Sequence, residues 1–269
     1  MKKVVPTIAN ITIYPIKSLD GISLNSAQII EGGCLNHDRE YAMTDSSGNF
    51  IIGKSNALVH SLRSTINFDR GIVSLRHQRE FSWSNFNLET EKAEIQEYLS
   101  THFGTPVSLH QNKKGRLMDI PDISGLTILS TASLQIISEW YDTMTLEETR
   151  KRFRATLEIQ DAPAFWEDYL FSFEGRGIEF KIGELTLIGM SPRARCVVPS
   201  RNPTTGEVIH AFPKIFAKHR ADTLPKFSKL KEYRHHYHLA INCYIPATEI
   251  GKWIHVGDKL EIIGEKVFY

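Results

Sequence analysis

The chain has 269 residues, 41% hydrophobic and 23% charged, with 32 lysines and arginines against 31 aspartates and glutamates. That length supports one large or two ordinary domains with a real core, and a formal net charge of +1 argues against a whole-protein nucleic-acid or membrane footprint. Three widely spaced cysteines, Cys34, Cys196 and Cys243, with no C-x-x-C pair, exclude a zinc ribbon, a thioredoxin-type motif and a four-cysteine iron–sulfur cluster within the chain.

The first hundred residues read as short strands separated by frequent turns. Alternation runs from Ile8 to Ile16 and, more loosely, from Ile22 to Ile30, with the Leu19-Asp-Gly21 turn between them. Tyr41–Met43 and Phe50–Ile52 flank the hairpin signal Asp45-Ser-Ser-Gly-Asn49, and Thr65–Phe68 and Ile72–Leu75 flank Asp69-Arg-Gly71. Such spacing predicts a small barrel or sandwich. A helix is expected over about Glu91 to Phe103, with Thr90 as N-cap and Gly104 and Pro106 ending it. The domain junction is placed there, giving residues 1–100 and 101–269.

The second half is mixed. Helices are expected over Ser133–Tyr141 and after the capping-box pattern Thr145-x-x-Glu148. Strands are expected over Phe153–Ile159, over Phe180–Met190 as a hairpin around Ile182-Gly183, and over His238–Ile245 and Gly257–Ile263. Pro199 to Thr223 reads as an irregular loop. The fold class is mainly β with a few helices, α+β. The odd, sparse cysteine count suits a reducing cytoplasm, and polar Thr7, Asn10 and Thr12 interrupt any apolar run after Met1-Lys-Lys-Val-Val-Pro6, so neither a signal peptide nor a membrane span is expected.

Chemistry concentrates in Ser191-Pro-Arg-Ala-Arg-Cys196. Arg193 and Arg195 flank one cysteine, and nearby guanidinium groups favour thiolate, which serves as nucleophile or soft metal ligand. Taken alone, Cys196 reads first as a small packing residue, as most free cysteines are. Lys17-Ser18 at a strand end, Arg39 after Asp38, and Arg154 after Phe153 are scattered basic residues of the kind a phosphate-bearing cofactor needs; singly, each reads as a solvated strand end or a surface ion pair. His235-His-Tyr-His238 lacks acidic or thiolate partners at metal-ligand spacing and reads as a surface or partly buried strand cluster. Asp119, Asp122 and Asp161 read as turn residues. No Walker A, G-x-G-x-x-G or G-x-S-x-G pattern occurs.

The ordered set Tyr14-Pro-Ile-Lys-Ser-Leu-Asp-Gly21, Gly33, Asp38-Arg-Glu-Tyr41, Gly48-Asn-Phe50, Phe153-Arg154, Ile182-Gly183, Arg195-Cys196, Asn202-Pro-Thr-Thr-Gly206 and Ile254-His-Val-Gly-Asp258 resembles two-part MOSC proteins. These are relatives of the C-terminal domain of molybdenum cofactor sulfurase, similar to the amidoxime-reducing component and to bacterial N-hydroxylaminopurine-detoxifying enzymes. The resemblance implies an N-terminal β-barrel domain beside a MOSC β-barrel, with a molybdenum–molybdopterin cofactor between them. It implies Cys196 as the protein ligand to molybdenum and the catalytic residue, with Lys17, Ser18, Arg39, Ser130, Thr131, Arg154 and Arg195 binding the cofactor. The implied activity is that of a molybdenum-dependent oxidoreductase converting N–OH to N–H, supplied by an external electron-donor protein and acting on small N-hydroxylated molecules. The alternative is a carrier or sulfur-relay protein for the cofactor. The family also carries a general association with pyridoxal phosphate binding. Departures are Gly53-Lys54 in place of a Thr-Arg pair, Ala194 in place of Ser, and Cys243 where the amidoxime-reducing enzymes carry a tyrosine.

Overall fold

The computed structural model describes residues 5–114, 117 and 125–267; Asp119 and Asp122 lie outside them. In chain order the elements are β1 (Thr7–Ile13), β2 (Ile22–Leu24), β3 (Ser26–Ile30), β4 (Cys34–Leu35), β5 (Tyr41–Thr44), β6 (Leu62–Asn67), β7 (Ile72–His77) and β8 (Ser84–Asn87). Next come α1 (Lys92–Phe103), β9 (Ser108–Gln111), β10 (Leu126–Ser130), α2 (Thr131–Glu139), α3 (Leu146–Phe153), β11 (Leu157–Gln160), β12 (Arg176–Ile182) and β13 (Leu185–Ala194). The last are α4 (Phe212–Asp222), β14 (His238–Tyr244), β15 (Trp253–His255) and β16 (Leu260–Val267). The fold is α+β with strands predominating. Among the described residues no helix is long and apolar enough to cross a membrane.

The largest sheet has the order β16-β12-β13-β14-β10-β11-β1-β2. It curls until the chain entering β16 meets the start of β1: Ile8 N donates to Asp258 O at 2.9 Å, Gly257 N to Ile8 O at 2.8 Å and Leu260 N to Pro6 O at 2.8 Å. Ring closure satisfies edge groups that an open sheet would leave unpaired. Its inward face buries Ile8, Ile11, Ile128, Leu157, Phe180 and Leu187 with Ile254 of β15. A second core, of Met43, Leu62, Val73, Leu75, Leu99 and Leu109 among others, lies between α1 and the small sheets β5-β9 and β6-β7-β8. A third packs α2, α3 and α4 through Leu134, Ile137, Phe153, Phe212 and Phe216.

Several expectations from the sequence are met. The Asp69-Arg-Gly71 hairpin pairs Asn67 with Ile72, and the Ile182-Gly183 turn joins β12 to β13. Thr145 caps α3 by accepting from Glu148 N at 3.1 Å. The other half of that capping box is absent, because the Glu148 carboxylate turns to Arg152 instead.

Other expectations are corrected. The run from Ile22 to Ile30 breaks at Asn25 into β2, on the large sheet, and β3, on a separate one. Phe50–Ile52 forms only a bridge to the end of β5, whose strand partner is β9, because Leu109 pairs with Met43 in the second core. Glu91, not Thr90, caps α1, and its carboxylate accepts from Asn87 N. Phe153 closes α3 rather than opening a strand: the helix-favouring run Leu146–Arg152 carries on to it, and Arg154 terminates the helix in the left-handed conformation. The stretch read as an irregular loop contains α4, whose Phe212, Phe216 and Arg220 repeat every fourth residue and are buried. Its lysines and histidines occupy the other faces and obscured that period.

Candidate functional site

The turns at Pro15–Gly21 and Asp38–Glu40, the C-terminus of α3 and the chain leaving β13 converge on one cavity of about 550 Å³. Its walls include Lys17, Ser18, Arg39, Arg154, Arg195 and Cys196, six residues expected from the sequence to act together. Cys196 is exposed, whereas Cys34 and Cys243 are buried. Ser130 and Thr131 are not brought there. Ser130 is fully buried as the cap of α2, accepting from Ser133 N at 3.1 Å, and the Thr131 hydroxyl donates to Ile159 O at 3.2 Å. The hydroxyl-bearing residues that do line the cavity from that side are Thr127 and Thr156, which bond each other across neighbouring strands.

Three of the wall residues hold left-handed backbones: Ser18 at φ 73°, Arg39 at 52° and Arg154 at 50°. Each such non-glycine conformation costs about 1–3 kcal/mol and persists where surrounding structure enforces it. That structure is visible here. Asp38, fully buried, accepts Tyr14 N at 2.8 Å and pairs with the Arg39 guanidinium at 2.6 Å. Arg39 N returns a bond to Tyr14 O at 2.9 Å. Arg154 N donates to Arg150 O at 3.0 Å. Both guanidinium groups lie over the Tyr14 ring, with carbons 4.5 Å (Arg39) and 4.0 Å (Arg154) from its centroid. Burial, followed by the charge of Arg39, holds the Arg154 guanidinium below its ordinary pKa, with Tyr14 opposing.

Cys196 is held by its neighbours' backbones. Arg195 N donates to Tyr237 O at 3.0 Å, the Tyr237 hydroxyl donates to Cys196 O at 3.2 Å, and Arg195 Nη2 reaches Phe153 O at 2.7 Å. Burial and then the neighbouring Arg193 charge hold Arg195 down to about 10. Beyond the cysteine, the buried Arg152 donates to Pro199 O at 2.8 Å and Arg201 O at 2.6 Å while pairing with Glu148 at 2.6 Å. One planar side chain thereby ties α3 to the loop after the cysteine.

The wall from the first half of the chain adds residues that pattern reading missed. Arg63 pairs with Asp20 at 2.9 Å and donates to Pro203 O at 3.1 Å, crossing to the loop after Cys196. His60 approaches Gly53 O at 3.3 Å. A side chain at Gly53 would place its Cβ 2.9 Å from His60 Nε2, so the imidazole occupies the space that a threonine there would need. Burial lowers the His60 pKa, and the charges of Arg154, Arg201 and Arg63 lower it further. Cys243, by contrast, sits in the barrel core away from the cavity, its thiol pKa raised by burial. His238 is also buried, stacked on His235 at 4.6 Å, with burial pushing its pKa down to about 4.

Among the described residues ten lysines and arginines line the cavity against two acids, Asp20 and Glu147, in a chain whose formal net charge is +1. The arginines Arg63, Arg195 and Arg201 each keep a buried Nε without a hydrogen-bond partner. A buried donor without an acceptor costs free energy, and three of the five arginines with an unpartnered buried Nε among the described residues belong to this cavity.

Residues 5–113 match the family model of the MOSC N-terminal beta barrel domain. The matched segment supplies Tyr14, Lys17, Ser18, Arg39, His60 and Arg63 to the cavity; Arg154, Arg195, Cys196 and Arg201 come from beyond it. No curated protein matches the chain.

Proposed function

We propose that this cavity binds a molybdopterin-type molybdenum cofactor and that the protein is a reductase of N-hydroxylated compounds. The observation that carries the reading is the exposed Cys196 in a cavity lined by ten basic residues. The residues fit such a group. Orphaned guanidinium donors call for an anion, a single soft sulfur ligand sits among them, and about 550 Å³ is in the range of small-molecule sites.

On this reading Cys196 ligates molybdenum, and Lys17, Ser18, Arg39, Arg154 and Arg195 hold the pterin and its phosphate. Bound there, the cofactor supplies the two-electron chemistry that turns N–OH into N–H and water. The chain's own contribution is positional. The Arg39 and Arg154 forks are presented from strained turns stacked on Tyr14, and the Arg152 latch keeps the cysteine loop in register. An external redox protein delivers the electrons.

A carrier or sulfur-relay role draws on the same exposure of Cys196. Metal and pterin analysis of protein from a cofactor-competent host, followed by reduction of a hydroxylamine or amidoxime with a chemically reduced dye, separates the readings. One molybdenum per chain with turnover is expected, and Cys196→Ala should abolish turnover while the protein stays folded. Metal without turnover favours the carrier, and absence of metal and pterin after gentle purification sinks both.

A further inference from the structure

The charge of the cavity exceeds what one phosphate requires. Of its ten basic residues, Arg39, Arg63, Arg150 and Lys151 pair with carboxylates. Lys54, Arg154, Arg195 and Arg201 form no ion pair among the described residues. A phosphate monoester brings a charge of about −1.5 to −2 near neutral pH. Arg154 and Arg195, with Lys17 and Arg39, are enough to saturate it. Arg201, partly buried, and Lys54, at the exposed rim, are then left without an anion, and an uncompensated charge is costly where it is partly enclosed, at Arg201.

These two residues belong to one neighbourhood. Among the described residues the Arg201 side chain reaches one acceptor, the Gly206 carbonyl, at a long 3.4 Å, and its Nε has no partner. Its backbone is held firmly, with its carbonyl accepting from Arg152 at 2.6 Å and its amide donating to Val198 O at 3.0 Å. Arg63 grips Pro203 O in the same loop. A Cβ on Gly206 would lie 3.6 Å from the Cβ of His60, and His60 in turn packs on Gly53, which precedes Lys54. The charges of Arg201, Arg63 and Arg154 are all felt at His60. A fixed backbone carrying a weakly engaged guanidinium is the arrangement of a preorganised anion donor.

We propose that Arg201, with Arg63 and Lys54, forms a second anion subsite in this cavity, for a phosphate or carboxylate additional to the first phosphate of the cofactor. Assigning the first phosphate to a cofactor rests on the function proposed above. The second anionic group has two possible sources: the nucleotide half of a dinucleotide form of the cofactor, or an anionic substrate such as an N-hydroxylated nucleotide or carboxylic acid.

The test uses the full chain purified from a molybdenum-replete host. One equivalent of nucleoside monophosphate released per molybdenum assigns the second anion to the cofactor. If the pterin carries a single phosphate, calorimetric titration with inorganic phosphate should find one site per chain. Its affinity should fall at least about tenfold in Arg201→Gln and less steeply in Lys54→Gln, an exposed position; this assigns the anion to the substrate. No nucleotide together with no phosphate binding, or with binding unchanged in both variants, overturns the proposal. Protein lacking molybdenum and pterin would sink the cofactor reading and leave this one decidable on the same sample. Two phosphate sites should then appear, one lost in Arg201→Gln and the other in Arg39→Gln; a single site insensitive to Arg201→Gln and Lys54→Gln overturns it.

Discussion

The guanidinium carbon of Arg154 lies 4.0 Å from the centre of the Tyr14 ring, and that of Arg39 lies 4.5 Å from it. The two arginines are far apart in sequence and on different turns, so a single buried aromatic sets where both charges stand. A cation over an aromatic face contributes about 0.5–2 kcal/mol, more when desolvated.

Tyr14→Leu is therefore expected to weaken phosphate binding by about tenfold or more. Tyr14→Phe, which keeps the ring and loses only the hydroxyl bond to Ala155 O, should stay close to wild type. Calorimetry on the two variants checks this; equal loss in both would assign the effect to the hydroxyl.

Arg152 is almost fully buried and joins Glu148 to two carbonyls of the cysteine loop. Arg152→Met leaves those carbonyls without their donor and should cost about 3–5 kcal/mol in urea unfolding. Arg152→Lys should recover little, since an ammonium cannot reproduce the fork that meets carboxylate and carbonyls together.

The three cysteines should separate by reactivity. With Cys196 exposed and Cys34 and Cys243 buried, a thiol reagent should modify one sulfur in the native protein and three after denaturation. Fast native labelling that survives in Cys196→Ala would contradict the placement.

Glu167 is buried, and among the described residues its carboxylate makes no hydrogen bond of good geometry, with the Ser133 hydroxyl its weak neighbour. Burial first, and then Asp168, raise its pKa to about 7 from the ordinary 4.5. The folded state thus holds a proton that the unfolded chain releases at lower pH. No penalty exists below the unfolded value, and it grows as pH rises from about 4.5 to about 7 and is complete above that. A shift of this size corresponds to roughly 3 kcal/mol. Glu167→Gln should flatten the stability profile across that window and raise the melting temperature at pH 8. A stability curve unchanged by the substitution would show that the carboxyl is solvated.

Much of the frame was legible because local patterns were also decisive locally. The Asp69-Arg-Gly71 and Ile182-Gly183 hairpins, the Thr145 cap and the Gly104 stop each depend on residues within a few positions of one another. The fourth helix was not legible, because its lysines and histidines hid a period that only burial against α2 and α3 reveals. Arg154 was placed on a strand because propensity does not say that a helix ends one residue later in the left-handed region.

The sequence by itself determined the α+β class and the residue types suited to an anion and a soft metal, and its ordered short motifs raised the expectation that Lys17, Ser18, Arg39, Arg154, Arg195 and Cys196 share one site. Only the tertiary structure decided that these six share a cavity while Ser130 turns inward to cap a helix and the Thr131 hydroxyl bonds Ile159 O. It also decided that Tyr14, Arg152 and Arg201 matter, since stacking, the span between two carbonyls and the lack of a partner are properties of positions in space. A side chain's charge is written in the chain. Whether that charge is paired is settled by which segments ring closure and core packing bring beside it.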